Sequence, residues 1–147
     1  MKQKSFADMR CSIARSLEII GPWWSFLIIR DAFMGVSRFK DFERSLGIAK
    51  NTLSNRLKLL VENGLLDKTA DPNGSKYAEY HLTEKGRDLF PVLVAITQWG
   101  DKWAVHEDGP SFDIIDKRTD CSIPPLALLG SDGQPLPEDA IGVKRAT

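Results

Sequence analysis

The stretch from Ala49 to Asn63 constrains this chain more than any other. Leu53, Leu57, Leu60 and Val61 recur at the spacing of a single helical stripe, and Gly64 supplies the left-handed position that ends many helices. At about 100° per residue, Asn51, Asn55, Lys58 and Glu62 fall on the opposite side, with Thr52, Ser54 and Arg56 on its flanks. The outward face is therefore amide, hydroxyl and cation, with its acidic member, Glu62, at the far end. A helix with a firm apolar back and such a front needs a core behind it.

The preceding segments supply that core. Cys11 to Ile20 carries Ile13, Leu17 and Ile20 at helical spacing and stops at Gly21-Pro22. Pro22 can open the next helix, where a missing N–H costs nothing. That helix, Trp23 to Met34, is apolar on nearly every side, which predicts a buried central helix ended by Gly35. Ser37 has the character of an N-cap for a short helix with Phe39, Phe42 and Leu46 inward, broken by Gly47. Downstream, Leu65 to Thr69 and Lys76 to Leu82 predict two strands joined by a loop with Asn73-Gly74 at its tip. Thr83 caps a long helix bearing Leu89, Leu93, Ile96, Trp99 and Trp103, in which Pro91 forces a kink or a break.

Beyond His106 the texture changes. Glu107 to Thr147 holds five of the eight prolines, with short strand-like runs at Phe112–Lys117 and Leu126–Leu129 and a turn at Asp132-Gly133. Its role, bracing a dimer or forming a small β-extension, is open at this level.

The 147 residues suit one domain with an appendage, and 42% apolar content, with four Trp and seven Phe, excludes a disordered chain. Two Cys make no disulfide framework, and Met1 to Ser16 lacks the apolar run of a signal peptide. The apolar run Ile19 to Ile29 falls short of the about 20 residues a bilayer requires. These features lead us to expect a soluble cytoplasmic protein. The zero formal net charge hides a gradient: +3 over Val36–Asn63, +2 over Met1–Ile20 and −4 over Pro91–Thr147. A basic segment in a neutral chain is a modest pointer to a polyanion, since phosphate contacts release counterions.

The order of elements predicts an α+β, mainly α fold: a winged helix-turn-helix with N- and C-terminal dimerisation helices and a short β or irregular C-terminal extension. The expected division is a DNA-binding and dimerisation domain over 1–106 and an acidic extension over 107–147. An α-helix fits the major groove, where Asn pairs bidentately with adenine while Arg and Lys favour guanine or phosphate. Asn51, Asn55 and Lys58 on helix 49–63 are the first candidates for base contact, with Lys50, Thr52, Ser54 and Arg56 at flanking or backbone positions. Ser37 and Arg38 open the preceding helix, whose free N–H groups can hold a phosphate. Lys76 and Tyr77 place a cation and a ring on the wing, 65–82, for the flanking backbone or minor groove.

Several motifs in this order resemble the HxlR-type transcription regulators, within the MarR-like superfamily. The opening Cys11-Ser-Ile-Ala-Arg-Ser-Leu-Glu-Ile-Ile-Gly, then Trp24, Leu27-Ile-Ile-Arg-Asp, Gly35 and Arg38-Phe39 are similar to theirs. So are Gly47-Ile48, Leu53-Ser54-Asn55-Arg56-Leu57, Gly64-Leu65, Glu79-Tyr80-His81-Leu82-Thr83-Glu84-Lys85-Gly86, Pro91-Val92-Leu93 and Trp99-Gly100. The likeness covers about Cys11 to Trp103. It implies a homodimeric regulator, a repressor more readily than an activator, on a palindromic operator of double-stranded DNA. The chain departs from the family at Trp23, where Lys is common, and at Lys68, where Arg is frequent. At Ala49 it lacks the usual Ser cap, an exchange that costs about 1 kcal/mol and leaves the helix start between Ala49 and Asn51.

Some relatives use a cysteine at the position of Cys11 as a thiol sensor, and here it lies between Arg10 and Arg15 near a helix start. Cations and helix N-termini activate thiols. The resemblance thus implies response to an electrophile or another small-molecule effector, against the ordinary fate of a structural thiol. No cofactor is expected, and His81, His106, Cys11 and Cys121 lack metal-ligand spacing. An enzyme has nothing to stand on: neither a phosphate loop nor a paired nucleophile and base is present in the sequence. The competing reading keeps the fold but makes it a protein-binding adaptor or anti-repressor that touches no DNA.

Overall fold

A computed structural model describes residues 5–145. The chain forms two compact units, one ending at Leu93 and the other beginning at Val94. The first contains α1 (Ser12–Ile20), α2 (Trp23–Phe33), α3 (Phe39–Leu46), α4 (Lys50–Glu62), β1 (Leu66–Ala70), β2 (Ala78–Leu82) and the single turn α5 (Glu84–Arg87). Helix α6 (Phe90–Trp103) starts there and continues in the second unit, which adds the two-residue strands β3 (Ile115–Asp116) and β4 (Cys121–Ser122) and a 3-10 turn at Glu138–Ala140. No helix among the described residues is long and apolar enough to cross a membrane.

The core of the first unit is one cluster: Ile28 and Ile29 of α2, Phe42 of α3, Ile48, Leu53, Leu57 and Leu60 of α4, then Leu65 and Leu66. Every leucine of the predicted α4 stripe is buried in it, and truncating any one to Ala costs about 2–5 kcal/mol in such a setting. Helix α2 is only partly the buried rod that its composition predicts. Its Ile28, Ile29, Ser25 and Asp31 are buried, but Trp23 is 91% exposed and Leu27 lies at the surface. An all-apolar helix reads as buried from its sequence whether the covering partner is its own chain or something outside it.

Two helix ends set the angle of the turn. After α2, Gly35 at φ +94° lets Val36 N–H reach the Asp31 carbonyl at 3.0 Å. After α4, Gly64 at φ +73° bonds back to Val61, and Leu65 N–H bonds to the Leu60 carbonyl, each at 2.9 Å. This is the Schellman arrangement, and its apolar contact joins Leu60 to Leu65 inside the core.

The hairpin pairs Leu66 with Leu82 through Ala70 with Ala78, antiparallel. Its strands start later than the sequence pattern suggests, so Lys76 and Tyr77 belong to the connecting loop rather than to β2. The long helix expected after Thr83 is broken: α5 ends at Arg87, and Pro91 sits in the first turn of α6, where its missing N–H has no helical acceptor. Thr83 does cap α5, its hydroxyl accepting from Gly86 N–H at 3.0 Å.

In the second unit, the strand expected over Phe112–Lys117 shrinks to Ile115–Asp116, paired with Cys121–Ser122. Leu129 makes an isolated bridge with Pro135 around the expected turn at Asp132-Gly133, where Gly133 has φ +76°.

Candidate functional site

Helix α4 turns its polar side to solvent. Lys50, Asn51, Ser54, Asn55 and Lys58 are exposed; Thr52 and Arg56 are half-buried on the flanks. Lys58 is 75% exposed at its side chain and lies 3.9 Å from Glu62 one turn on. Arg56 is more restrained: its Nε is buried and has no hydrogen-bond partner among the described residues, a state shared by Asp31 Oδ2. The helix starts at Lys50. Ala49 occupies the cap position with extended backbone and no side-chain bond to the free N–H groups, so this turn lacks the cap that a hydroxyl would give.

Ser37 is not the cap of α3; Arg38 holds that position, and it too makes no side-chain cap bond. The Ser37 carbonyl instead accepts from Tyr80 N–H at 2.8 Å, and Arg38 bridges Glu79 through the backbone, so this stretch behaves as a third partner for the hairpin. The Arg38 guanidinium is also committed. Its Nη2 lies 3.0 Å from Asp71 Oδ2, and its Nε 3.5 Å from Glu79 Oε1. Asp71 is 1% exposed at its side chain, and its other oxygen accepts from Asn73 N–H at 2.9 Å, fixing the Asp71–Gly74 turn at the hairpin tip. The pair clamps the wing to the start of α3.

At the wing tip the exposed Tyr77 ring collects two ammonium groups, Lys76 at 5.2 Å and Lys40 of α3 at 5.8 Å from its centroid. Sequence reasoning overlooked Lys40. Its signal was its place opposite Phe42 and Leu46 on α3, but only the folded hairpin puts it beside Tyr77. On β1, Lys68 lies 5.9 Å over Tyr80. The α4 face thus exposes amide and ammonium groups, and the wing tip gathers Lys40 and Lys76 at Tyr77, while Arg38 at the α3 start is already paired with Asp71 and Glu79.

Cys11 is exposed at the N-cap position of α1, with no side-chain cap bond. The Arg15 guanidinium donates to the Ala7 carbonyl at 3.0 Å. Cys121 is exposed as well. His81 lies 2.9 Å from Glu79, and His106 3.3 Å from Asp108.

The model of the HxlR-like helix-turn-helix matches residues 19–108. The chain belongs to this family. Its relatives include the HTH-type transcriptional regulator Rv3095 of Mycobacterium tuberculosis, 48% identical over 99 residues. That match takes in 67% of this chain and 63% of Rv3095, so the chain spans less than two thirds of that relative's length. Among solved structures, PA1607, a candidate transcription factor, superposes with a TM-score of 0.90 at 42% identity, over 97% of this chain and 100% of its own. The redox regulator HypR in its reduced form follows with a TM-score of 0.58 at 27% identity, over 63% of this chain and 92% of its own. These HTH-type relatives are named transcriptional regulators, and the solved structure that superposes over nearly the whole chain is a candidate transcription factor.

The family pattern now has physical reasons. In this HxlR-type chain, Thr83 is held by several bonds: its hydroxyl faces the Gly64 and Leu65 carbonyls as donor and accepts from Gly86 N–H, and its own N–H reaches the Leu65 carbonyl at 3.0 Å. Gly86 must be glycine, because a Cβ there would stand 2.2 Å from the Leu65 carbonyl oxygen. Lys85 reaches the Asn63 carbonyl at 2.7 Å, a cation on the exposed end of α4. Together these bonds fix the hairpin base to the end of the helix that precedes it.

Proposed function

We propose that this regulator binds a palindromic operator in double-stranded DNA as a homodimer and acts as a repressor. Helix 49–63 enters the major groove, and the wing, 65–82, lies along the flanking backbone or minor groove. The observation that carries the reading is the exposed face of α4, where Asn51, Asn55 and Lys58 stand clear while the leucines opposite are buried. Asn51 and Asn55 are suited to adenine edges, and Lys58 to guanine or phosphate. Lys50, Thr52, Ser54 and Arg56 serve the flanks; Lys76, Tyr77 and the neighbouring Lys40 serve the wing. Ser37 and Arg38 contribute a phosphate-facing helix start, with Arg38 working chiefly through Asp71.

The regulator also responds to thiol-reactive or other small-molecule effectors through Cys11. Support comes from the exposure of that thiol at a helix start and from the likeness to HypR, a redox regulator.

A titration of the full chain against a duplex selected from random DNA tests the reading. Between 50 and 200 mM salt the affinity should fall roughly tenfold to a thousandfold, as a few phosphate contacts require. Replacing Asn55 and Lys58 together by Ala should abolish binding while the dimer persists. Absence of duplex binding even at low salt would favour the adaptor instead. For the thiol, diamide should change operator affinity in the parent and leave Cys11→Ser unmoved; identical responses would remove Cys11 from the account.

A further inference from the structure

The second unit has almost no interior of its own. Val94 is its one buried apolar residue among those described, while Trp99 and Trp103 of α6 are 64% and 67% exposed and Leu126, Leu128 and Leu129 are 52–66% exposed. Gln98 aligns these groups. Its Nε2 donates to the Pro124 carbonyl at 3.0 Å, and its Oε1 accepts from Leu126 N–H at 2.8 Å, so the extended segment runs beside the helix. Helix and strap, tied together by Gln98, both carry exposed apolar side chains.

The area involved is large. The chain exposes 11814 Å². Compact globules of the masses of the two units, counted separately, would expose about 9,000 Å² together, leaving an excess of roughly 2,800 Å². A standard interface takes about 800 Å² from each partner, and permanent homodimers take considerably more. Excess surface on this scale leaves room for a permanent interface, and exposed apolar side chains such as Trp99, Trp103, Leu126, Leu128 and Leu129 are the part of it that aggregates unless covered. The partner always present in equal supply is another copy of the chain.

We infer that the strap around Leu126–Leu129, held to α6 by Gln98, is a dimerisation arm that seats on a second copy of this chain and is not a free appendage. This rests on the homodimer proposed above and adds which surface makes it. A twofold arrangement lets the same patch serve both copies. The acidic balance beyond Pro91 also suits a surface that stays off the DNA.

Sedimentation equilibrium of the full chain, parent against the triple variant Leu126→Ser, Leu128→Ser, Leu129→Ser, tests the inference. The parent should be dimeric at micromolar concentration, and the variant's dimer about a hundredfold weaker or more. Unchanged circular dichroism of the variant would show that the first unit still folds. A dimeric parent with an equally tight variant overturns the arm and spares the homodimer; a monomeric parent overturns both. Should the variant fail to fold, hydrogen exchange of the parent on dilution decides. Protection at 124–129 should fall together with that of α6 as dimer is lost, and protection that ignores concentration overturns the arm.

Discussion

Single atoms decide several positions in this fold. Gly86 has no room for a methyl group against the Leu65 carbonyl. Gly86→Ala should therefore lose about 1–3 kcal/mol in urea unfolding, with the hairpin base displaced. Glu18 offers a pH-dependent test. Its carboxylate accepts from Ser5 Oγ at 2.7 Å and Phe6 N–H at 2.8 Å, and these bonds, the backbone one foremost, hold its pKa below the usual value. A lowered folded pKa means that the anchor is in place above the ordinary carboxylate range and is lost as pH falls through the lowered value. Hydrogen exchange at Phe6 and Ala7 should accelerate on acidification and become indifferent to pH, beyond intrinsic rates, in Glu18→Gln.

Among the elements, α4 was the most legible, because a stripe of three leucines and a valine and a terminal glycine are local signals. Its start was less so. Ala49 offers no hydroxyl, and the structure leaves that cap unmade with extended backbone at φ −63° and ψ 139°. Ala49→Ser should therefore stabilise the protein by about 1 kcal/mol in thermal unfolding, without altering the helix face. The hairpin was legible as a hairpin, yet its strand starts and the role of Ser37 were misplaced. Both depend on partners far along the chain: Asp71 pairs with Arg38, and Tyr80 binds the Ser37 carbonyl. Local periodicity carries no record of such pairing. The break before α6 was readable because Pro91 acts locally, whereas nothing local reveals what covers Trp99 and Trp103.

For the whole molecule, the proposed mode of DNA recognition has two copies presenting α4 to successive grooves on one face of the duplex. Half-sites recovered by selection from random DNA should then be centred about 34 Å apart, one helical turn. The most direct test is to repeat that selection with Asn55→Ala and align the two sets of bound sequences. The substitution should relax preference at the same base pair in each half-site, by about 1–3 kcal/mol of discrimination, and leave the spacing unchanged. An identical preference at every position in both sets would mean that this face of α4 does not read DNA.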